Sequence, residues 1–292
     1  MRQMTSNLVL LPHRSLLSLR GPDTIALLER LVTNATTDWA EGETRYGALL
    51  TPQGKVIADY LALRTEDGVW LDVSKQHVAD LAKRLKMFRL RSDVEIEHRD
   101  DLFVFAGLDP CAKHPETPDG AAYAYRDPRY AEGRLRLIAG SMDVEDSSES
   151  LAKYHRDRIA HAVPEQGSDF GAAEVFPAEI NMDVLDGVAL NKGCFVGQEV
   201  VSRMHRRGKI RKRTLRLDLP ETLQAASGDE IKAPLPIGAV TSTGTAQALA
   251  VVRIDRLAAA QQAGTHPEIH ETPVTFKIPG WLEADLAPMK EA

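Results

Sequence analysis

The segment NKGCFVGQEVVSRMHRRGKIRKR, residues 191–213, brings a thiol, a Gly-Gln-Glu step and a block of positive charge into one short stretch. Cys194 lies between Gly193 and Gly197, so the backbone around it is free to turn tightly. Lys192 sits two residues before it. Helical spacing begins at Gln198, with Val201, Met204 and His205 at steps of three and four. A cation and a helix N-terminus both place positive potential near the sulfur, which is the setting of a reactive thiol. A small buried hydrophobe is the other reading of the same residue. The second cysteine, Cys111 in DPCAKHP, reads as a plain loop thiol, and His114 beside it does not make a metal signature.

Residues 203–213 hold Arg203, Arg206, Arg207, Lys209, Arg211, Lys212 and Arg213, seven cations in eleven positions. A solvated helix end accounts for such a run. So does a site for an anion: phosphate, a polyglutamate tail or RNA. The whole chain has 292 residues and a formal net charge of -6, so a polyanion would have to be met by a local patch. Aromatic residues are only 5% and none interleaves the run, so stacked bases are poorly supported.

Two cysteines cannot build a disulfide framework or a four-thiolate metal site. His266 and His270 show no ligand spacing, and no metal is expected. The first twenty residues are broken by Asn7, Pro12, His13 and Arg14 and do not form a secretory signal. No run approaches the ~18 apolar residues of a membrane span. These features predict a cytoplasmic protein with no membrane partner.

The positioning elements follow from periodicity. Leu8–Leu11 and Leu16–Leu19 read as short strands, and Asp23 is placed to cap a helix from Thr24 to Val32. YGALLTPQGKVIADYLALRTEDGVWLDVS reads as three strands joined by Pro-Gln-Gly and Glu-Asp-Gly turns. Lys75–Phe88 is an amphipathic helix with Val78, Leu81, Leu85 and Phe88 inward. Residues 108–133 read as loop, and a further helix is expected from Leu151 to Ala162. After Arg213 the chain becomes a series of short strands, led by TLRLDL with Leu215, Leu217 and Leu219 on one side. The expected class is α+β over 1–208, closed by a β-barrel domain over 209–292, with the boundary near Gly208.

KGCFVGQE at Lys192–Glu199 closely resembles the signature K-G-C-[FY]-x-G-Q-E of the YgfZ family. Its members are bacterial folate-binding proteins related to the glycine-cleavage T-protein, an aminomethyltransferase, and to mitochondrial iron–sulfur maturation factors. GPDTIALLERLVTNATT, ALLTPQGKVIADYLAL, FPAEINMDVLDGVALNKGCF and IGAVTSTGTAQALAVVRI resemble the family's other segments in order. The resemblance covers nearly the whole chain.

The resemblance implies a three-lobed T-protein-like ring with a central pocket for tetrahydrofolate or a one-carbon derivative. It also implies service to iron–sulfur client enzymes or assembly factors, with tRNA modification among the processes served. Cys194, with Lys192, would be the working thiol. Asp59 matches the hairpin carboxylate that works near the reactive folate nitrogen; the adjacent acidic position is Ala58. Asn34, Gln198 and Glu199 fall in the matched segments, and Arg203 and Arg206 would face the folate's tail. T-proteins hold the pteridine with a Glu in R-x-E-x-G, but RIAHAV has Ala160 at that position. Glu179 and Asp183 are the candidate substitutes. Two other functions stay open: a tetrahydrofolate-dependent one-carbon transferase, and an RNA-binding module.

Overall fold

The computed structural model describes residues 7–142, 144, 148–206 and 210–286. The chain divides into two compact units. The first is Met1–Tyr154, Gly171–Pro177 and Met182–Ser202; the second is His155–Phe170, Ala178–Asn181 and Arg203–Ala292. The boundary expected near Gly208 lies outside the described residues, as do Arg207 and Lys209.

The first unit opens with β1 (Leu8–Leu10), β2 (Arg14–Arg20), α1 (Thr24–Leu31), β3 (Thr44–Leu50), β4 (Val56–Thr65) and β5 (Gly68–Ser74). It continues with α2 (Val78–Arg89), β6 (Glu95–Arg99), β7 (Phe103–Gly107), β8 (Tyr123–Asp127) and β9 (Arg134–Ala139). Of α3 (Ser148–Ala160) the first unit holds Ser148–Tyr154, and of α4 (Gln198–Arg206), which begins on the last two residues of the signature, it holds Gln198–Ser202. A five-stranded antiparallel sheet runs β3-β4-β5-β2-β6, and a four-stranded one runs β1-β7-β9-β8. Leu27, Leu28 and Leu31 of α1 and Val78, Leu81 and Leu85 of α2 pack on one face of the larger sheet, against Ala58, Tyr60, Ala62 and Leu71.

Strand alternation turns Asp59, Leu61 and Leu63 to the opposite face of β4. That face is also closed, because eight of the ten residues of β4 are buried. A strand covered on both sides reads as a nearly unbroken apolar run, which is what VIADYLAL is apart from its one carboxylate.

The second unit is built on one antiparallel seven-stranded sheet. Its strands are β10 (Lys212–Asp218), β11 (Glu230–Lys232), β12 (Pro236–Thr243), β13 (Gln247–Arg253), β14 (Glu268–Ile269), β15 (Thr272–Pro273) and β16 (Thr275–Lys277). The order is β15-β14-β11-β12-β13-β10-β16. α5 (Ile254–Gln262) and α6 (Glu283–Leu286) contribute to its core. Leu215, Leu217 and Leu219 enter that core, as the alternation predicts.

Arg158 fastens the lead-in chain to this sheet. Its guanidinium donates to Asp169 Oδ2 at 2.5 Å and to Ser242 Oγ at 2.8 Å, while Thr241 Oγ1 donates to Asp169 Oδ1 at 2.7 Å.

Local details depart from expectation in four places. Residues 108–133, read as loop, contain the strand β8, Tyr123–Asp127, which pairs with β9. Asp23 makes no side-chain cap on α1. Its backbone is turned away from the extended setting a capping residue needs, and its carboxylate accepts instead from the Asp93 amide at 2.8 Å. Phe88 is only partly buried at the margin of the core. The helix placed at Leu151–Ala162 spans Ser148–Ala160, and Ala162 adopts a positive φ of 54° beyond its end.

Candidate functional site

The signature is seated on two earlier pieces of the first unit. One is the Val-Thr-Asn step after α1. Thr33 Oγ1 donates to the Gly187 carbonyl at 2.7 Å and accepts from the Ala48 amide at 2.9 Å. The Ala189 amide donates to the Thr33 carbonyl at 3.0 Å. Asn34 Nδ2 bridges the carbonyls of Tyr46 and Asp186 at 2.8 and 2.7 Å. Lys192 completes the attachment. Its ammonium donates to the carbonyls of Val32 and Asn34 at 2.9 and 2.8 Å and lies 3.4 Å from Glu29 Oε2. Its side chain is 2% exposed. Burial lowers the Lys192 pKa, and the facing Glu29 carboxylate opposes that shift.

The other piece is the tip of the β3–β4 hairpin. Gly197 has φ +81°, and a Cβ there would lie 2.7 Å from the Thr51 carbonyl oxygen and 3.0 Å from Gly54 Cα. Gly54 has φ +82°, and its Cβ would meet Val200 at 3.0 Å. Two glycines thus face each other where the Pro-Gln-Gly turn touches the start of α4. Each is required twice, by its positive φ and by the close approach.

Between these attachments the chain turns outward. Phe195 is buried beneath the Lys192 ammonium, 5.5 Å from ring centroid to nitrogen. Gly193 has no heavy atom within 4 Å of where a Cβ would be, and Cys194 is exposed. The packing reading of Cys194 as a buried hydrophobe is therefore excluded. The charge of Lys192, expected beside the thiol, is engaged with Val32, Asn34 and Glu29. Gln198 Nε2 reaches back to the Lys192 carbonyl at 3.4 Å, and Glu199 is exposed.

Asp59 stands apart from the thiol's surface. It is 1% exposed, and Tyr46 donates its phenol to Asp59 Oδ2 at 2.9 Å. The hairpin carboxylate is thus an interior group, not a solvent-facing one. Burial and then the Asp59 charge hold the Tyr46 phenol well above its usual pKa, so it stays a hydrogen-bond donor.

From Tyr46 a buried ionic chain extends across the first unit, and its members carry no motif. Arg129 stacks over the Tyr46 ring at 5.4 Å and grips Asp127 through Nε and Nη2 at 2.9 and 2.7 Å. Arg136 donates to Asp127 at 3.0 Å and to Tyr154 at 3.0 Å. Arg14 donates to Asp72 at 2.6 Å, and Tyr125 donates to the same carboxylate at 2.9 Å. Burial pushes the Asp127 pKa up, but Arg129 and then Arg136 outweigh it and bring it down to about 2. Arg14 and Asp72 belong to the larger sheet, Tyr125, Asp127 and Arg136 to the smaller, so the chain of charges ties the two together.

Other expected residues fall as follows. Asp183 is half-buried in the first unit. Glu179, Arg203 and Arg206 belong to the second. Glu179 is half-buried and its carbonyl accepts from Thr214 Oγ1 at 2.9 Å. Ala160, at the lost acidic position, offers its carbonyl to Arg216 at 2.6 Å. Arg203, Arg206, Arg211 and Lys212 are exposed. Arg213 is not available to an anion: it is buried, donates to the Ala178 carbonyl at 3.0 Å and stacks on Trp281 at 5.0 Å. Cys111 is half-exposed in a cleft of about 340 Å³ that Leu8, Pro110 and Leu135 also line.

Among the described residues no group of three or more His, Cys, Asp or Glu side chains is placed to hold a metal ion. Thr33, Tyr46, Glu29 and Arg129 were missed as parts of the assembly. Thr33 stood within the matched Val-Thr-Asn step and was legible there; the other three carry no signal of their own.

Residues 11–108 match the model of the GCVT N-terminal domain, and residues 211–284 match that of the CAF17 C-terminal beta-barrel domain. The glycine cleavage system aminomethyltransferase T from Bartonella henselae superposes with a TM-score of 0.68, covering 86% of this chain and 80% of that one. At 14% identity it shows the fold, an aminomethyltransferase-like α+β architecture with a C-terminal barrel, and not the reaction. An iron–sulfur cluster assembly factor IBA57 homolog of Mycosarcoma maydis is 30% identical over 284 residues, which is 90% of this chain and 68% of the relative. IBA57 of Mus musculus is 30% identical over 261 residues, 81% of this chain and 72% of the relative. Both relatives are named as mitochondrial, which overturns the expectation of a cytoplasmic protein. Over both its domains, and at that identity and coverage, the chain belongs to the IBA57 family of iron–sulfur cluster assembly factors.

Proposed function

We propose that this chain assists the assembly or repair of iron–sulfur proteins and that Cys194 is its working group. The observation that carries the reading is an exposed thiol on a turn fixed at both ends, in a chain whose relatives are named as assembly factors. A thiolate is the ligand that iron–sulfur clusters require, and it is also the nucleophile of thiol exchange. The cluster or its iron is cargo here, and its partners are client enzymes or other assembly factors. One thiol offers a single ligand, so any cluster held at Cys194 completes its coordination from the partner's side.

The test is replacement of Cys194 in cells that depend on this protein. Cys194→Ser is nearly isosteric and exposed, so the protein should stay folded while the activity of iron–sulfur enzymes drops. Cys111→Ser should leave that activity unchanged. Full activity of the Cys194→Ser protein would end the reading.

A reduced folate is the proposed small-molecule partner, taken up by the first unit near Asp59. What supports it is the donor set of the interior face: a carboxylate to accept from a folate amine, with the Tyr46 phenol and the Arg129 guanidinium beside it. When bound, tetrahydrofolate supplies a nitrogen that carries one-carbon units; Asp59 would orient it and hold its proton. Because Asp59 is 1% exposed, binding has to displace the Tyr46 hydrogen bond. Separately, the exposed cations Arg203, Arg206, Arg211 and Lys212 of the second unit are proposed to meet a polyanion such as polyglutamate. Titration with tetrahydrofolate in mono- and polyglutamate forms decides the matter. Tighter binding of the longer tail, weakening with salt, is the expected result; no binding of either form removes folate from the reading.

A further inference from the structure

The C-terminal end of α2 carries two large apolar side chains in water. Met87 is 59% exposed and Leu90 is 84% exposed. Leu90 stands directly after the helix with φ 50° and ψ -108°, a backbone setting that a leucine avoids and a glycine does not. Between residues 80 and 93 the chain places five cations, Lys83, Arg84, Lys86, Arg89 and Arg91, against two acids, Asp80 and Asp93. Arg84 is paired with Asp80 at 2.8 Å, while Lys83, Lys86, Arg89 and Arg91 are exposed. Val94, just before the adjacent strand β6, and Ile96 within it enter the core with α2, so Glu95 and Glu97 of β6 point to the other face of that sheet. The corner is therefore apolar at its tip and carries an excess of positive charge around it, with Asp93 an exposed acid of the stretch.

We propose that this corner is a docking site for an anionic lipid surface, with Met87 and Leu90 entering the boundary between headgroups and acyl chains and Lys83, Lys86 and Arg91 meeting lipid phosphates. Two projecting side chains need no shaped groove opposite them, and a bilayer interface accepts such tips where a folded partner would have to supply a pocket. The ring of cations selects negative headgroups, although the chain as a whole carries -6. The contact is peripheral: no helix among the described residues is long and apolar enough to cross a membrane. The expectation of no membrane partner rested on the lack of such a span, which a surface contact does not need.

Sedimentation of the full chain with vesicles of phosphatidylcholine alone, or with about one-third phosphatidylglycerol, tests this. The protein should pellet with the anionic vesicles and not with the neutral ones, and should release as salt rises. Met87→Ser with Leu90→Gly should abolish pelleting. Leu90→Gly alone suits the positive φ, so it keeps the fold and should lower binding by itself. Lys83→Ala and Lys86→Ala should each weaken binding about fivefold. The proposal is overturned if the wild type stays in solution with anionic vesicles at low salt. Undiminished pelleting of the Met87/Leu90 variant also overturns it, by moving the contact to another basic stretch such as 203–213. Binding of a polyglutamate peptide at this corner without vesicle binding would mean an acidic polypeptide partner and overturn it equally.

Discussion

The signature turn and the ionic chain between the two sheets of the first unit use the same kinds of residue to opposite ends. In the signature, one buried cation, Lys192, is committed to backbone carbonyls so that the thiol two residues later can face solvent. In the ionic chain, every charge faces another inside the protein, and nothing is presented. The difference teaches that burial of a charge beside a candidate site does not make that charge part of the chemistry. Lys192 fixes a position, and Arg136 and Asp127 fix a pair of sheets.

Breaking the ionic chain should have the largest effect on stability. Asp127→Asn leaves Arg129 and Arg136 without their shared anion, a loss of about 3–5 kcal/mol in denaturant unfolding. A loss below about 1 kcal/mol would erase the contrast with the surface pairs. The same group gives a pH signature. Its folded pKa of about 2 lies below the ordinary value of 3.8, so its contribution is complete above about pH 4 and disappears as pH falls toward 2. Acid unfolding followed by circular dichroism should show that window narrowed in Asp127→Asn.

Next comes Gly197→Ala. The added methyl meets the Thr51 carbonyl and forces an unfavourable φ, which should cost about 1–3 kcal/mol in unfolding. Lys192→Met should cost about 1–2 kcal/mol, because the carbonyls of Val32 and Asn34 lose their donor. Both variants keep Cys194 but loosen its frame, so cluster-dependent activity should fall further than stability does. If Lys192→Met keeps full activity, the frame does not matter.

The smallest effect is a difference in rates with no change of fold. Near neutral pH, alkylation followed by mass spectrometry should label Cys194 before Cys111. Burial raises the Cys111 thiol pKa, against the pull of Arg126, so its labelling should accelerate only at higher pH. Equal labelling of the two thiols at neutral pH would contradict the contrast in their surroundings.

Strands and helices were legible because their apolar residues repeat at periods of two and 3.6, and the start of α4 at Gln198 was legible from spacing alone. The exposure of Cys194 was not, since flanking glycines suit both an inward and an outward turn. The ionic chain was hidden for another reason. Arg134 and Arg136 alternate with Leu135 and Leu137, and a strand of that pattern reads as one wet face and one dry face. Here both faces are covered: Asp127 answers Arg136 within the smaller sheet, Asp72 answers Arg14 within the larger, and Tyr125 reaches Asp72 from one sheet to the other. The burial of Asp59 was hidden by the same logic.

The facing glycines at 54 and 197 make the hairpin tip and the signature answer to each other. A side chain at position 54 would need Val200 to shrink, and a side chain at 197 would need the turn at Thr51 to recede. A Gly54→Ala defect should therefore be repaired in part by Val200→Ala, and a Gly197→Ala defect should not. The two motifs are mechanically one object: whatever changes the hairpin tip alters, through contact, the place where the thiol stands.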